Sequence, residues 1–159
     1  MLAQNLAISA GMIVLCVLCH SAGIWGLTHL HGSERAQPWR EGQAHERTFT
    51  VVLMVFGLLA LHAVEILAYT LLYSGLGQFP GDFETALYFS ASTFTTLGYG
   101  DVIPAPNHRL LAGVEGVMGL ILIGWSTAIL VSITNSMDEV ELKRPGKRGV
   151  EAPQGRNSP

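Results

Sequence analysis

Residues 95–102 of the chain read TTLGYGDV, a short stretch with two glycines and one acidic residue between long apolar segments. A mean hydropathy of +0.37 and a charged fraction of 13% are typical of a membrane protein. The net charge of -3 gives no indication of a nucleic-acid partner. A helix needs about 20 apolar residues to cross the hydrocarbon core of a bilayer. Three segments meet that length: 6–30, 49–73 and 110–133.

A shorter amphipathic piece, residues 83–95, lies between the second and third apolar segments. It is too short to cross a bilayer, and Asp82 is placed to cap its first turn. We therefore predict a re-entrant helix that enters the membrane part of the way and runs into TTLGYG. The predicted fold class is an all-α membrane protein with three transmembrane helices, a re-entrant half-helix and an irregular loop after it.

The glycines of TTLGYGDV indicate why the backbone becomes irregular there. Irregular backbone at membrane depth persists only where it is buried in protein or lines a cavity. Stacked rings of backbone carbonyls that replace the water shell of an ion are one such case. Pointing successive carbonyls to one side requires alternating backbone handedness, and Gly98 and Gly100 adopt positive φ without penalty. One chain supplies one such loop, so a ring of four needs four chains.

The order of outer helix, half-helix, TTLGYGD and inner helix resembles the pore domain of the potassium-channel family over roughly residues 50–136. The resemblance implies a pore domain at 49–136 behind an additional N-terminal transmembrane helix at 1–30. Within the pore domain it implies an outer helix at 49–73, a pore helix at 83–95, a filter at 96–100 and an inner helix at 108–136.

The resemblance also implies roles for individual residues. The ion-binding filter residues are Thr96, Leu97, Gly98, Tyr99 and Gly100. Residues that support the filter are Asp101, Tyr88, Ser92, Thr95 and Glu115. Tyr88 is at the offset from which family members bond to the acidic residue after the filter. Leu97 replaces the more common valine, and Ser92 stands where some members have a carboxylate. Gly119 and Gly124 are candidate gating hinges, or they only permit close helix packing.

The function implied by the resemblance is a homotetrameric, potassium-selective channel that conducts K⁺ passively in a lipid bilayer. We expect no enzymatic activity and no cofactor, with K⁺ as the permeant ion. No apolar segment carries Arg or Lys at every third position, so we expect no voltage sensor. A weakly selective cation channel and a non-conducting regulatory subunit are alternatives, and a separate regulatory subunit is a possible partner.

The distribution of basic residues predicts the orientation. Eight Lys or Arg residues lie in 31–48 and 137–159, against one, Arg109, between the second and third segments. Cytoplasmic loops carry the excess of basic residues, so both regions are expected to be cytoplasmic and the N-terminus outside. The tail at 137–159 lacks apolar periodicity and is expected to be disordered. The expected location is the plasma membrane, as in a prokaryotic inner membrane.

Ionisable residues inside the apolar segments are candidates for function. They are His20, His62, Glu65 and Glu115. Glu65 and Glu115 are expected at similar depth, where both cannot stay charged without a partner. One hypothesis is that Glu115, with Ser92 or Thr93, braces the filter from behind and makes opening pH-sensitive; the alternative is a purely structural, hydrogen-bonded carboxyl. His20 is expected nearer the inside, which argues against a metal site with His62 and Glu65.

Cys16-Val-Leu-Cys19-His20 matches the CxxCH attachment motif of c-type haem. The motif lies in the middle of an apolar segment, where attachment machinery outside the membrane has poor access. Two small buried thiols are the simpler interpretation. A haem-bearing redox anchor remains the rival from a different functional class.

Overall fold

The computed structural model describes residues 2–32 and 44–142, and in those ranges it contains helices and no strand. The helices are α1 (Leu2–Gly32), α2 (Ala44–Gly75), α3 (Phe83–Phe94) and α4 (Arg109–Leu142), with a short 3₁₀ turn at Pro106–His108 before α4. Three of them are long and apolar enough to span a membrane: Leu2–His29, Thr48–Gly75 and Pro106–Asn135. The predicted fold class, an all-α protein with three spanning helices, is confirmed.

The long helices extend beyond the predicted limits on the side opposite the filter. The inner helix was expected to end at 136, but α4 continues to Leu142, so residues 137–142 are helical rather than part of a disordered tail. No helix breaker occurs before Pro145, which explains the continuation. In the same way α2 begins at Ala44, within the predicted loop. The rest of the predicted loop and tail, 33–43 and 143–159, lies outside the described residues.

The short helix α3 lies between α2 and α4, and aromatic side chains fill the space among the three. Tyr73 and Phe89 pack edge to face with ring centroids 5.1 Å apart. Phe94 at the end of α3 and Leu111 and Leu122 on α4 are fully buried in the same cluster. Because lipid is as apolar as these side chains, their packing stabilises the helices through van der Waals contact rather than through removal from water. This packing positions the C-terminus of α3 and the loop that follows it.

The additional helix α1 packs against both α2 and α4. Glycines on each of α1 and α2 receive a leucine from the other: Gly23 faces Leu61, and Gly57 faces Leu27. At the other end of α1, the Asn5 side-chain amide donates to the carbonyl of Asn107, just before α4. The N-terminal end of α1 and the loop that follows the filter therefore lie on the same side of the molecule.

Candidate functional site

The chain reverses direction directly after α3, and backbone hydrogen bonds fix the turn. Asp82 caps the start of α3 by accepting from the Thr85 amide at 2.9 Å. At the other end, the Thr96 amide donates to the Thr93 carbonyl at 3.0 Å, and the Gly98 amide donates to the Ser92 carbonyl at 3.1 Å. These bonds satisfy carbonyls that the end of a helix would otherwise leave free. Residues 96–100 thus leave the helix at a defined angle.

The backbone of residues 96–100 alternates in handedness. The φ angles are 61° at Thr96, 54° at Gly98 and 78° at Gly100, whereas Leu97 and Tyr99 are not in the positive-φ region. Alternation of this kind turns successive carbonyls toward one side of the extended segment. Positive φ is free of cost for glycine but unusual for a β-branched residue such as Thr96. Such alternation is the backbone geometry in which a row of carbonyls can coordinate an alkali cation.

The side chains of this loop have few neighbours within one chain. Leu97 is 57% exposed and Tyr99 67% exposed, although both are large and apolar. The Tyr99 ring stacks on Tyr88 with centroids 6.5 Å apart. A row of carbonyls from a single chain covers only one side of an ion.

The outer end of the loop is tied to α3 through Tyr88 and Asp101. The Tyr88 hydroxyl donates to Oδ2 of Asp101 at 2.9 Å, while Oδ1 of the same carboxylate accepts from the Val102 amide at 3.0 Å. Donation to the Asp101 carboxylate raises the pKa of the Tyr88 phenol above its ordinary value. The contact that the sequence suggested between these two residues is present in the structure.

Glu115 lies behind α3, but its partners differ from those expected. Its Oε1 accepts from the Ser90 hydroxyl at 2.5 Å, and its Oε2 accepts from the Tyr73 hydroxyl at 2.7 Å. The expectation that Ser92 or Thr93 meets Glu115 is wrong. Ser90 shares the buried face of α3 with the residues one turn before and after it, whereas positions 92 and 93 are turned away. Ser92 supports the loop through its backbone carbonyl instead.

Thr95 also acts locally: its hydroxyl donates to the Ala91 carbonyl at 2.7 Å and its residue caps α3. The hydrogen bonds of its hydroxyl are to carbonyls of α3. Its side chain therefore stabilises the C-terminal end of α3. Thr95 and the Ser92 carbonyl together hold the last turn of α3 in place.

The two candidate hinge glycines have different surroundings. At Gly119 a Cβ atom would lie 2.7 Å from the carbonyl carbon of Phe94, so the backbones of α3 and α4 touch there. At Gly124 a Cβ atom would have no heavy atom within 4 Å in the described part of the chain. Close packing explains Gly119, while Gly124 has no packing requirement within one chain.

A buried polar cluster lies deeper between α1, α2 and α4. Oε1 of Glu65 lies 2.8 Å from Nδ1 of His20, and Oε2 of Glu65 lies 2.9 Å from Nδ1 of His62. The Ser126 hydroxyl lies 3.3 Å from Nε2 of His20 and 3.0 Å from Nε2 of His62. The Trp125 and His20 rings are 5.3 Å apart. We name these four polar residues, His20, His62, Glu65 and Ser126, the histidine cluster.

The histidine cluster corrects the expected depth of His20. Asn5, beside Asn107, is about 15 residues or 22 Å from His20, whereas the end of α2 at Gly75 is about 10 residues or 15 Å from Glu65. The side chains of His20 and Glu65 are nevertheless in hydrogen-bond contact. The N-terminus of α1 therefore lies farther out along the membrane normal than the C-terminus of α2, and the two residues lie at the same depth. Glu65 and Glu115 also do not share partners, so each carboxyl is paired separately.

The CxxCH motif does not form an exposed attachment site. Cys16 is 1% exposed and His20 is fully buried, and His20 is engaged by Glu65 and Ser126. Both cysteines are free thiols, and Cys19 is half-buried. This geometry favours the interpretation of two small thiols within a spanning helix.

Comparison with known proteins agrees with this geometry. Residues 59–135 match the family model described as Ion channel. The chain is 37% identical over 67 residues to the calcium-gated potassium channel TvoK of Thermoplasma volcanium, covering 42% of this chain and 18% of that protein. It is 33% identical over 70 residues to TWiK family of potassium channels protein 18 of Caenorhabditis elegans, covering 43% of this chain and 15% of that protein. The chain thus spans less than a fifth of either curated relative, and no solved structure matches it.

Proposed function

We propose that the chain is a member of the ion-channel family, whose model matches residues 59–135, and that four copies assemble in a lipid bilayer into a pore that is selective for K⁺. The ion-binding groups are the backbone carbonyls of residues 96–100. Conduction is passive, down the electrochemical gradient, with no chemical step. Both relatives are named as potassium channels, which supports the choice of ion.

One observation carries the proposal: the alternating backbone at Thr96, Gly98 and Gly100. A carbonyl row is useful to an ion only when further rows complete its coordination. Fourfold assembly supplies those rows and also covers the exposed Leu97 and Tyr99 side chains. Tyr88 and Asp101 then hold the outer end of each loop, and Glu115 holds the pore helix from behind.

The orientation follows from the same arrangement. The N-terminal end of α1 lies on the filter side, and eight of the nine Lys and Arg residues fall in 31–48 and 137–159, which adjoin the opposite ends of the spanning helices. With those ends cytoplasmic, the filter faces outward and the C-terminus inward. We place the channel in a plasma membrane and, for a prokaryotic cell, in the inner membrane.

The test is ion flux through the purified chain in liposomes, with Gly98→Ala as the filter variant. Alanine at a φ of 54° is strained and displaces the adjacent carbonyls. Gly77→Ala is the matched control, because Gly77 has a φ of 66° in a turn outside the filter. We expect K⁺ flux in wild type and Gly77→Ala, and at least about a tenfold loss in Gly98→Ala.

Two measurements distinguish a K⁺-selective channel from a weakly selective channel and from a non-conducting subunit. A reversal potential that follows the K⁺ gradient when Na⁺ is present on the other side supports selectivity, and one that follows both cations equally establishes the weakly selective channel. A wild-type chain that assembles as a tetramer but carries no flux establishes the non-conducting subunit. K⁺ flux that survives Gly98→Ala overturns the assignment of the filter.

A further inference from the structure

We propose that His20, His62 and Glu65 form a binding site for one divalent transition-metal ion, of which Zn²⁺ is the closest chemical match. One ligand atom from each of the three residues lies within 4.8 Å of the other two. The ligands come from two helices: His20 from α1, and His62 and Glu65 from α2. The site is separate from the filter and does not depend on the proposed conduction of K⁺.

One ion can reach all three side chains after the Glu65 carboxylate turns. Zinc binds imidazole nitrogen at about 2.0–2.1 Å and carboxylate oxygen at about 2.0–2.2 Å, so neighbouring ligand atoms lie about 3.3 Å apart. The two imidazoles face different oxygens of one carboxylate: Nδ1 of His20 is 2.8 Å from Oε1 of Glu65, and Nδ1 of His62 is 2.9 Å from Oε2. A tetrahedral ion bound through one Glu65 oxygen therefore requires the carboxylate to turn so that the same oxygen faces both imidazoles. His62 and Glu65 share a helix face at i,i+3, which holds two ligands side by side.

The kinds of donor atom indicate the class of metal. Two imidazoles and one carboxylate are borderline ligands that suit zinc and its neighbours, while alkali and alkaline-earth ions prefer oxygen alone. A His₂Glu set leaves a fourth position, which water fills in zinc proteins that use it. The Glu65 carboxylate offsets one of the two positive charges, which matters because its side chain and that of His20 are fully buried.

Ser126 supplies an independent argument. With neutral imidazoles and no metal, both Nδ1–H groups donate to Glu65, and both Nε2 atoms then face one hydroxyl with a single proton. One buried Nε2 is left without a hydrogen. A metal on the two Nδ1 atoms moves the ring protons to Nε2, and the two lone pairs of the Ser126 hydroxyl accept both. Metal-binding histidines usually donate their second N–H to such a partner.

The site would fasten the additional helix to the pore domain. His20 is on α1, the other two ligands are on α2, and Ser126 beneath them is on α4, beside Trp125, which packs on His20. A bound ion stabilises the state that binds it, and the stabilisation grows with the logarithm of its concentration relative to its dissociation constant. Zinc is therefore expected to raise the melting temperature of the assembled protein as well as to bind stoichiometrically.

The experiment is zinc binding to the full chain, purified in detergent without chelator and dialysed against ZnCl₂. Elemental analysis should find about one zinc per chain in wild type and less than about a tenth of that in Glu65→Gln, which keeps the side-chain shape but loses the charge. His29→Asn is the matched control: His29 is on the same helix but stacks on Trp25 outside the cluster. It should bind zinc like wild type, and only the two binding proteins should show a zinc-dependent rise in melting temperature.

Two outcomes overturn the proposal. Wild type that takes up less than about a tenth of a zinc per chain assigns the cluster to a metal-free hydrogen-bond network. Equal zinc in wild type and Glu65→Gln places the ion elsewhere on the chain. The first result needs only wild-type protein, so it stands even where Glu65→Gln fails to assemble.

Discussion

The Tyr73 hydroxyl on α2 donates a 2.7 Å hydrogen bond to Oε2 of Glu115 on α4. The other oxygen of the same carboxyl accepts from Ser90 on α3. One buried side chain thus connects the outer helix, the pore helix and the inner helix at a single point. Because α3 carries the filter loop at its C-terminal end, this point holds the base of the filter relative to the two spanning helices.

Replacing Tyr73 with phenylalanine should destabilise the assembled protein. The change leaves Oε2 of Glu115 buried without its donor, which costs about 1–3 kcal/mol. Tyr69→Phe is the control, since Tyr69 is also fully buried on α2 but its hydroxyl has no partner among the described residues. Removing that hydroxyl should be neutral or slightly stabilising. Thermal melting of the purified protein in detergent measures both, and equal losses in the two variants would contradict the role of the Tyr73–Glu115 bond.

Alanine at Gly119 should weaken the fold, whereas alanine at Gly124 should not. A Cβ atom at 119 clashes with the backbone of Phe94, and such overpacking costs about 1–3 kcal/mol. Gly124 has open space at the same position, and alanine there improves helix propensity by about 0.5–1 kcal/mol.

Melting temperature and K⁺ flux together separate packing from hinge motion at these glycines. Loss of stability in Gly119→Ala with normal melting in Gly124→Ala supports packing at 119. A Gly124→Ala protein that melts normally but loses flux locates a hinge at 124. A Gly119→Ala protein as stable as wild type would show that α3 and α4 do not touch there.

The spanning helices and α3 were predictable from the sequence because length and apolar content decide them. Positive φ at Gly98 and Gly100 was also expected, since alternation needs glycine at those positions. The same geometry at Thr96 was not expected, because a β-branched residue is rarely left-handed. Thr96 takes it at the first position beyond the C-cap of α3, where many helices end in a left-handed residue and where its amide donates to the Thr93 carbonyl.

Contacts between helices were harder to predict, because they depend on the rotation of each helix about its own axis and on the depth of each helix in the membrane relative to its neighbours. The prediction that Ser92 or Thr93 meets Glu115, where the structure has Ser90, was an error in the rotation of α3. The apolar residues Ala86 and Phe94, one turn on either side of Ser90, mark the buried face and would have identified it. The predicted membrane depth of His20 was wrong. Counting residues along each helix does not show that the N-terminus of α1 lies farther out than the C-terminus of α2.

The phenol of Tyr88 should titrate above its ordinary pKa of 10.0, because it donates to the Asp101 carboxylate. A raised pKa in the folded protein means that this contribution to stability is complete below the ordinary pKa and is lost as pH rises through the raised one. The phenolate absorbance of wild type minus that of Tyr88→Phe isolates the group. Asp101→Asn removes the charge and should return the titration toward the ordinary range, whereas an unchanged titration would exclude Asp101 as the cause.

The cap of α3 should make a small, acid-sensitive contribution to stability. The Thr85 hydroxyl and then the Thr85 amide donate to the Asp82 carboxylate and hold its pKa below the ordinary 3.8. A lowered pKa means that the stabilisation is present above the ordinary value and is lost as pH falls through the lowered one. Asp82 is fully exposed, so solvent screening keeps the effect small.

Asp82→Ala and Asp82→Asn separate the charge of this cap from its hydrogen bond. Melting temperature should fall in Asp82→Ala near neutral pH, and its difference from wild type should narrow as the solution is acidified below the ordinary pKa of 3.8. Asparagine still accepts from the Thr85 amide, so Asp82→Asn should melt close to wild type and keep a constant difference from Asp82→Ala across the same pH range. A difference between wild type and Asp82→Ala that does not change with pH would show that the carboxylate charge contributes nothing to the start of the pore helix.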